Sequence, residues 1–125
     1  MIEIDGNHLD IRSVVSVARH GEEVEISPQG IENIRKSRKV LETILQSNQA
    51  VYGINTGFGI FSEKRIPVED SNRLSRNLIL SHAVAVGEPL PTEVVRAAML
   101  VRANTLVKGY SGVREEVVQT LIEML

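Results

Sequence analysis

The 125-residue sequence contains no cysteine and no tryptophan, and only two tyrosines and two phenylalanines. Without cysteine there can be no disulfide, no thiolate nucleophile and no Cys-ligated zinc, a composition compatible with a reducing compartment. The scarcity of aromatics means that any core is aliphatic, and it argues against platforms that stack nucleic-acid bases. Charge of one sign is also missing: 14 Lys and Arg face 16 Asp and Glu, for a net charge of -2, and no block of like charges marks a nucleic-acid partner. No apolar run approaches the roughly 18 residues of a membrane span, and the start M-I-E-I-D-G carries acid where a secretory leader would be apolar. A cytoplasmic location is the default expectation. His8, His20 and His82 stand at unrelated spacings, with no H-E-x-x-H, so no metal site is expected.

What is present, 42% hydrophobic residues against 24% charged, suits an ordinary globular chain of mainly α class. Residues 1–29 are mixed. Ile2 and Ile4 alternate with acids and Val24-Glu25-Ile26 repeats the pattern, which predicts a small two-stranded element, with a short helix over Leu9 to Arg19 between them. Ser27-Pro28 is a helix start. From it Ile31, Ile34, Leu41, Ile44 and Leu45 form one apolar stripe to about Ser47, with Arg35, Lys36, Arg38 and Lys39 on a solvated face.

Pro67 opens a second long helix in which Leu74, Leu78, Ser81 and Ala85 share a face, before Gly87, Pro89 and Pro91. A third, from Thr92 to Lys108, is apolar around most of its circumference, and Gly109 stops it. Ser111 is the expected cap of a fourth, with Glu115 and Glu116 in its first turn and Val113, Val117, Val118, Leu121, Ile122 and Leu125 as its stripe. That helix runs out on an apolar position with no stop signal, and the third and fourth helices carry more apolar surface than so few helices can bury. The expectation is a fragment, residues 1–125 of a larger domain, that self-associates when isolated. Its parts are a mixed segment 1–29, a helix 30–48, a loop 49–65 and helices over 66–125.

The loop reads V-Y-G-I-N-T-G-F-G from Val51 to Gly59. Gly53, Gly57 and Gly59 free its backbone, Asn55 and Thr56 can bond neighbouring backbone to hold the turn, and the phenol of Tyr52 is presented. On residue chemistry alone a structural tyrosine is the simpler reading, since a phenol with an ordinary pKa of about 10 is a poor base at neutral pH. Other patterns carry less. Gly109-Tyr110-Ser111-Gly112-Val113 lacks the last glycine and the preceding strand of a nucleophile elbow, and the loop glycines lack the strand and acidic partner of a dinucleotide fingerprint. Ser81 and His82, as neighbours on a helix, are expected to point about 100° apart rather than form a dyad.

Four stretches in order change this picture: V-Y-G-I-N-T-G-F-G, then R-N-L-I-L-S-H-A-V-A-V-G from Arg76, R-A-A-M-L-V-R-A-N-T-L from Arg96, and K-G-Y-S-G-V-R from Lys108. Together they closely resemble the histidine ammonia-lyase branch of the aromatic amino-acid ammonia-lyases, over roughly three quarters of the chain, from Gly30 onward. The resemblance implies the N-terminal helical part of that family's fold, and an enzyme of histidine breakdown that eliminates ammonia from L-histidine to give urocanate without an external cofactor. It implies that Tyr52 is the base that removes a β-proton, and that Ser81-His82 reads the substrate side chain, His82 bonding the imidazole. Gly59 is implied as a substrate-binding position, with Gly53, Asn55, Thr56 and Gly57 as loop scaffold, in a homotetramer. The family's electrophile, 4-methylideneimidazole-5-one, arises from an internal Ala-Ser-Gly that does not occur in these 125 residues. It is expected from outside this chain, which alone would be inactive. Two further readings stand beside this one: an aminomutase with the same base and electrophile, and a non-catalytic helical binding or regulatory module derived from the fold.

Overall fold

Ile2-Glu3-Ile4 forms strand β1 and Val24–Ile26 strand β2, and the two pair in parallel, with Ile2 opposite Val24 and Ile4 opposite Ile26. Parallel neighbours need a crossover of a dozen or more residues. Helix α1, Ile11–His20, supplies it. Asp10 caps α1 by accepting from Ser13 N, and Gly21 closes it in the left-handed region with φ 69°. The Asp10 carboxyl is held below its ordinary range by that backbone bond. The remaining elements are α2 (Pro28–Gln46), α3 (Val68–His82), α4 (Thr92–Val107) and α5 (Glu115–Glu123). This computed structural model describes residues 1–125, and the chain divides into two compact units, Met1–Val40 with Pro89–Leu125, and Leu41–Glu88.

The first unit holds the core. Ile4, Val17, Ile34, Leu100, Ala103, Leu106, Val107, Val118 and Ile122 are all buried in one cluster, without an aromatic ring among them. Two glycines let its helices close up. Gly30 lies in the first turn of α2, where a Cβ would meet Val107 Cγ1 at 2.4 Å, and Gly109, at φ +78°, brings the turn after α4 against Asn33, whose carbonyl oxygen would lie 2.5 Å from a Cβ. Ser27 starts α2 as its position suggests, its Oγ accepting from Gly30 N at 3.0 Å. At the surface Arg35 stays exposed, as the solvated face predicts, but it is paired. It donates to Glu115 from Nε at 2.6 Å and Nη2 at 3.1 Å, while Arg38 reaches Gly112 O, so part of the basic face on α2 serves packing.

Two helix boundaries correct the sequence reading. Helix α5 starts at Glu115, after Arg114, with no side-chain cap; Ser111 is not its cap, because Gly112 turns to φ +64° and donates its N–H to Ser37 Oγ at 2.9 Å. Helix α3 stops at His82 and does not reach Ala85. Ala83, at φ −77° and ψ 65°, centres a tight turn in which Val84 N donates to His82 O at 2.8 Å, the geometry of an inverse γ-turn.

The second unit contains the last turns of α2, the tyrosine loop with a short 3-10 turn at Gly59–Phe61, and α3. Beyond α3 the residues are open to solvent, with Val84 81% and Val86 99% exposed.

Replacing Gly109 by Ala is expected to destabilise the first unit by about 1–3 kcal/mol, since a left-handed conformation costs an L-residue energy and the carbonyl of Asn33 leaves no room. Thermal unfolding of the variant at the wild-type temperature would contradict this.

Candidate active site

Helix α2 ends at Gln46, and Ser47 tightens the exit: its N and Oγ both donate to Ile44 O, three residues back, at 3.0 and 2.8 Å. The loop that follows is organised around one buried amide. Asn55, 7% exposed, accepts from Val51 N at Oδ1 over 2.8 Å and donates from Nδ2 to Gln49 O over 2.9 Å. Its backbone adds two bonds, N to Val51 O at 3.3 Å and O from Ile66 N at 2.8 Å. Asn55 thus ties together both limbs of the loop. Thr56, also buried, pairs with Arg65 as an isolated antiparallel bridge, and Gly57 N donates to Lys64 O at 3.0 Å.

Tyr52 sits inside the arc that Asn55 closes, between Gln49 and Asn55. Its side chain is 64% exposed, and its ring meets Phe58 edge to face with centroids 6.1 Å apart, a favoured aromatic geometry. Gly53 and Gly59 on either side adopt φ +78° and +58°. Gly57 does not share that freedom; it is glycine because a Cβ there would press on Phe61 at 2.7 Å. Tyr52, Gly59, Ala50, Ser62 and Glu63 line one open concavity of about 580 Å³. Phe58 and Glu63 were not singled out from the sequence, although the first lies within the motif itself.

His82 is not among the residues lining that concavity. It ends α3, where its Nδ1 lies 2.9 Å from Leu78 O and 2.9 Å from Ser81 Oγ, and Ser81 Oγ itself donates to Leu78 O at 2.9 Å. The expectation that Ser81 and His82 point apart is therefore corrected: both side chains fold back onto the carbonyl one turn earlier. They still form no nucleophilic pair, because the hydroxyl proton goes to that carbonyl. A carbonyl can only accept, so the Nδ1 contact with Leu78 O places the neutral-ring proton on Nδ1 and leaves Nε2 as an acceptor. The His82 ring makes no further hydrogen bond within the chain.

The electrophile of the ammonia-lyases finds no source here. The single Ser-Gly pair, Ser111-Gly112, follows Tyr110 rather than alanine, and Gly112 is committed to packing through Ser37 and Arg38. These residues do not fit the group. No cluster of His, Asp and Glu that could hold a metal ion is present either.

Known proteins align closely with this chain. The family described as aromatic amino acid lyase matches residues 9–125. A histidine ammonia-lyase from Caldanaerobacter subterraneus subsp. tengcongensis is 54% identical over 99% of this chain, which corresponds to 24% of that protein. Among solved structures, histidine ammonia-lyase from Trypanosoma cruzi superposes with a TM-score of 0.89 at 37% identity, over 98% of this chain and 24% of the other. Ergothionase from Treponema denticola, solved in complex with desmethyl-ergothioneine sulfonic acid, gives a TM-score of 0.93 at 30% identity, over 98% and 25%. The chain thus spans about a quarter of the length of the relatives it matches.

Changing Asn55 to Ala removes two part-buried bonds and should loosen the arc by about 1–3 kcal/mol. Limited proteolysis should then cut within residues 49–58 faster than in the wild type. Unchanged protection would show that Asn55 does not hold the loop.

Proposed function

The chain belongs to the aromatic amino acid lyase family, and from that premise we propose that it supplies the base and the side-chain selector of a histidine ammonia-lyase. The observation that carries this reading is the exposed phenol of Tyr52 on an arc whose scaffold, Asn55 and Thr56, is buried and bonded on both limbs. Such an arrangement holds a reactive group in the open at a fixed place, which proton transfer requires.

In the elimination, the β-proton of L-histidine passes to Tyr52 Oη. The C–H electron pair becomes the Cα–Cβ double bond of urocanate, and the amino group departs with the C–N pair. The group that assists this departure in the family, 4-methylideneimidazole-5-one, is proposed to come from an Ala-Ser-Gly outside these residues. His82 supports histidine as the substrate: with Nδ1 held by Leu78 O, its Nε2 can accept the N–H of a bound imidazole. Gly59, without a Cβ at the edge of the concavity, leaves room for substrate beside Tyr52. We further propose a tetrameric, cytoplasmic enzyme of histidine breakdown; no helix here is long and apolar enough to cross a membrane.

The full-length protein is expected to release urocanate from L-histidine, followed by its ultraviolet absorbance, and His82→Leu should lower kcat/KM for histidine by roughly 10–100-fold through one lost hydrogen bond to the substrate. Failure to form urocanate from L-histidine, with release of cinnamate from L-phenylalanine or coumarate from L-tyrosine, would overturn the substrate, and a β-amino acid product would make the enzyme an aminomutase.

A further inference from the structure

Helix α2 runs for 19 residues and has no basic residue in its last turn, although the carbonyls at a helix C-terminus are left without partners and carry partial negative charge. The missing donor arrives from the far limb of the tyrosine loop. Arg65 Nη2 donates to Ser47 O and Nη1 to Asn48 Oδ1, each at 3.1 Å. The same residue bridges Thr56 through its backbone, and the bonds Gly57 N to Lys64 O and Ile66 N to Asn55 O lie on either side of it.

Arg65 therefore joins three pieces of chain at one point: the end of α2, the inner limb at 55–57 and the outer limb at 64–66. Tyr52 lies on the arc between Asn48 and Thr56, and Arg65 holds both of those ends. Its side chain fixes where the arc leaves the helix, and its backbone fixes where the arc returns. The planar guanidinium can meet two acceptors at a set spacing, which an ammonium on a flexible stem does not reproduce.

We propose that Arg65 is a positioning residue for Tyr52, stapling the neck of the loop to the C-terminus of α2 so that the phenol is held at the place where the β-proton must be taken. This rests on the reading of Tyr52 as the base. Arg65 does not line the concavity that contains Tyr52 and so acts through the loop rather than on substrate. Loss of the staple leaves the Thr56–Arg65 backbone bridge but releases the helix end from the outer limb. A displacement of about 1 Å at a reacting group can cost on the order of 100-fold in rate.

The test is made in the full-length protein with Arg65→Ala, Arg65→Lys and Asn48→Ala. The Ala variant at position 65 should lose roughly 10–100-fold in kcat for histidine with KM little changed, and backbone amides of residues 50–58 should exchange hydrogen faster while those of α4 and α5 do not. Arg65→Lys should recover part of both effects. Asn48→Ala, which removes one acceptor only, should speed exchange over the same residues to a smaller degree, and it carries the test if Arg65→Ala does not fold. A wild-type kcat in Arg65→Ala, a change in KM alone, or wild-type exchange over 50–58 in the folded variants overturns the proposal. If the wild-type protein does not turn over histidine, the reading of Tyr52 fails, whereas the exchange measurement needs no chemistry and still decides whether Arg65 holds the arc.

Discussion

A buried amide with all its bonds made inside the loop is the constraint on which the rest of the candidate site depends. An unpaired polar group in an interior costs more than a made hydrogen bond gains, so a buried asparagine permits only backbone paths that satisfy it. Asn55 is satisfied by Gln49 O and Val51 N through its side chain and by Val51 O and Ile66 N through its backbone. These partners lie on both sides of Tyr52 and on the returning limb. The path of residues 49–55 is thereby narrowed, and the phenol that rides on it stays in solvent while its backbone is held. Arg65 extends the same logic outward, tying that path to the end of α2.

The aliphatic core and the residues proposed for the chemistry lie in different units of the chain. The aliphatic cluster of Ile4, Val17, Ile34, Leu100, Val107 and Val118 belongs to the unit built from both ends of the chain. Tyr52 and His82 belong to residues 41–88, whose buried groups are largely polar. Loops positioned by a scaffold are the common site of function, since a buried reactive group would be out of reach and an exposed one needs support from elsewhere. Membership of the aromatic amino acid lyase family explains why such a loop exists at all. The chain spans about a quarter of the length of the relatives it matches, and the proposed base and selector both lie within that quarter.

Much of the fold was legible because hydrophobic spacing and caps are local signals. Ser27-Pro28 starts a helix through bonds to its own next turn, the alternation of Ile2 and Ile4 reads as a strand, and Gly109 ends α4 at a positive φ. Other features depend on what a residue meets far away in sequence. Ser111 looked like a cap, but Gly112 is drawn to Ser37, 75 residues distant. Ala85 had the right spacing for α3, yet Ser81 and His82 both bond Leu78 O and the chain turns at Ala83. Within the candidate site, the roles proposed for Tyr52 and His82 rest on resemblance, because nothing in a lone phenol or imidazole announces a task. Arg65 carried no local signal: its acceptors are 17 and 18 residues away.

Tyr52 is the proposed acceptor of the proton, and every other proposed role at the site serves it. Replacing it by phenylalanine in the full-length protein keeps the ring against Phe58 and deletes a single oxygen. Turnover of L-histidine to urocanate should be abolished in that variant, while its circular dichroism and its affinity for histidine stay near those of the wild type. A folded Tyr52→Phe enzyme that still forms urocanate at a comparable rate would contradict the central claim.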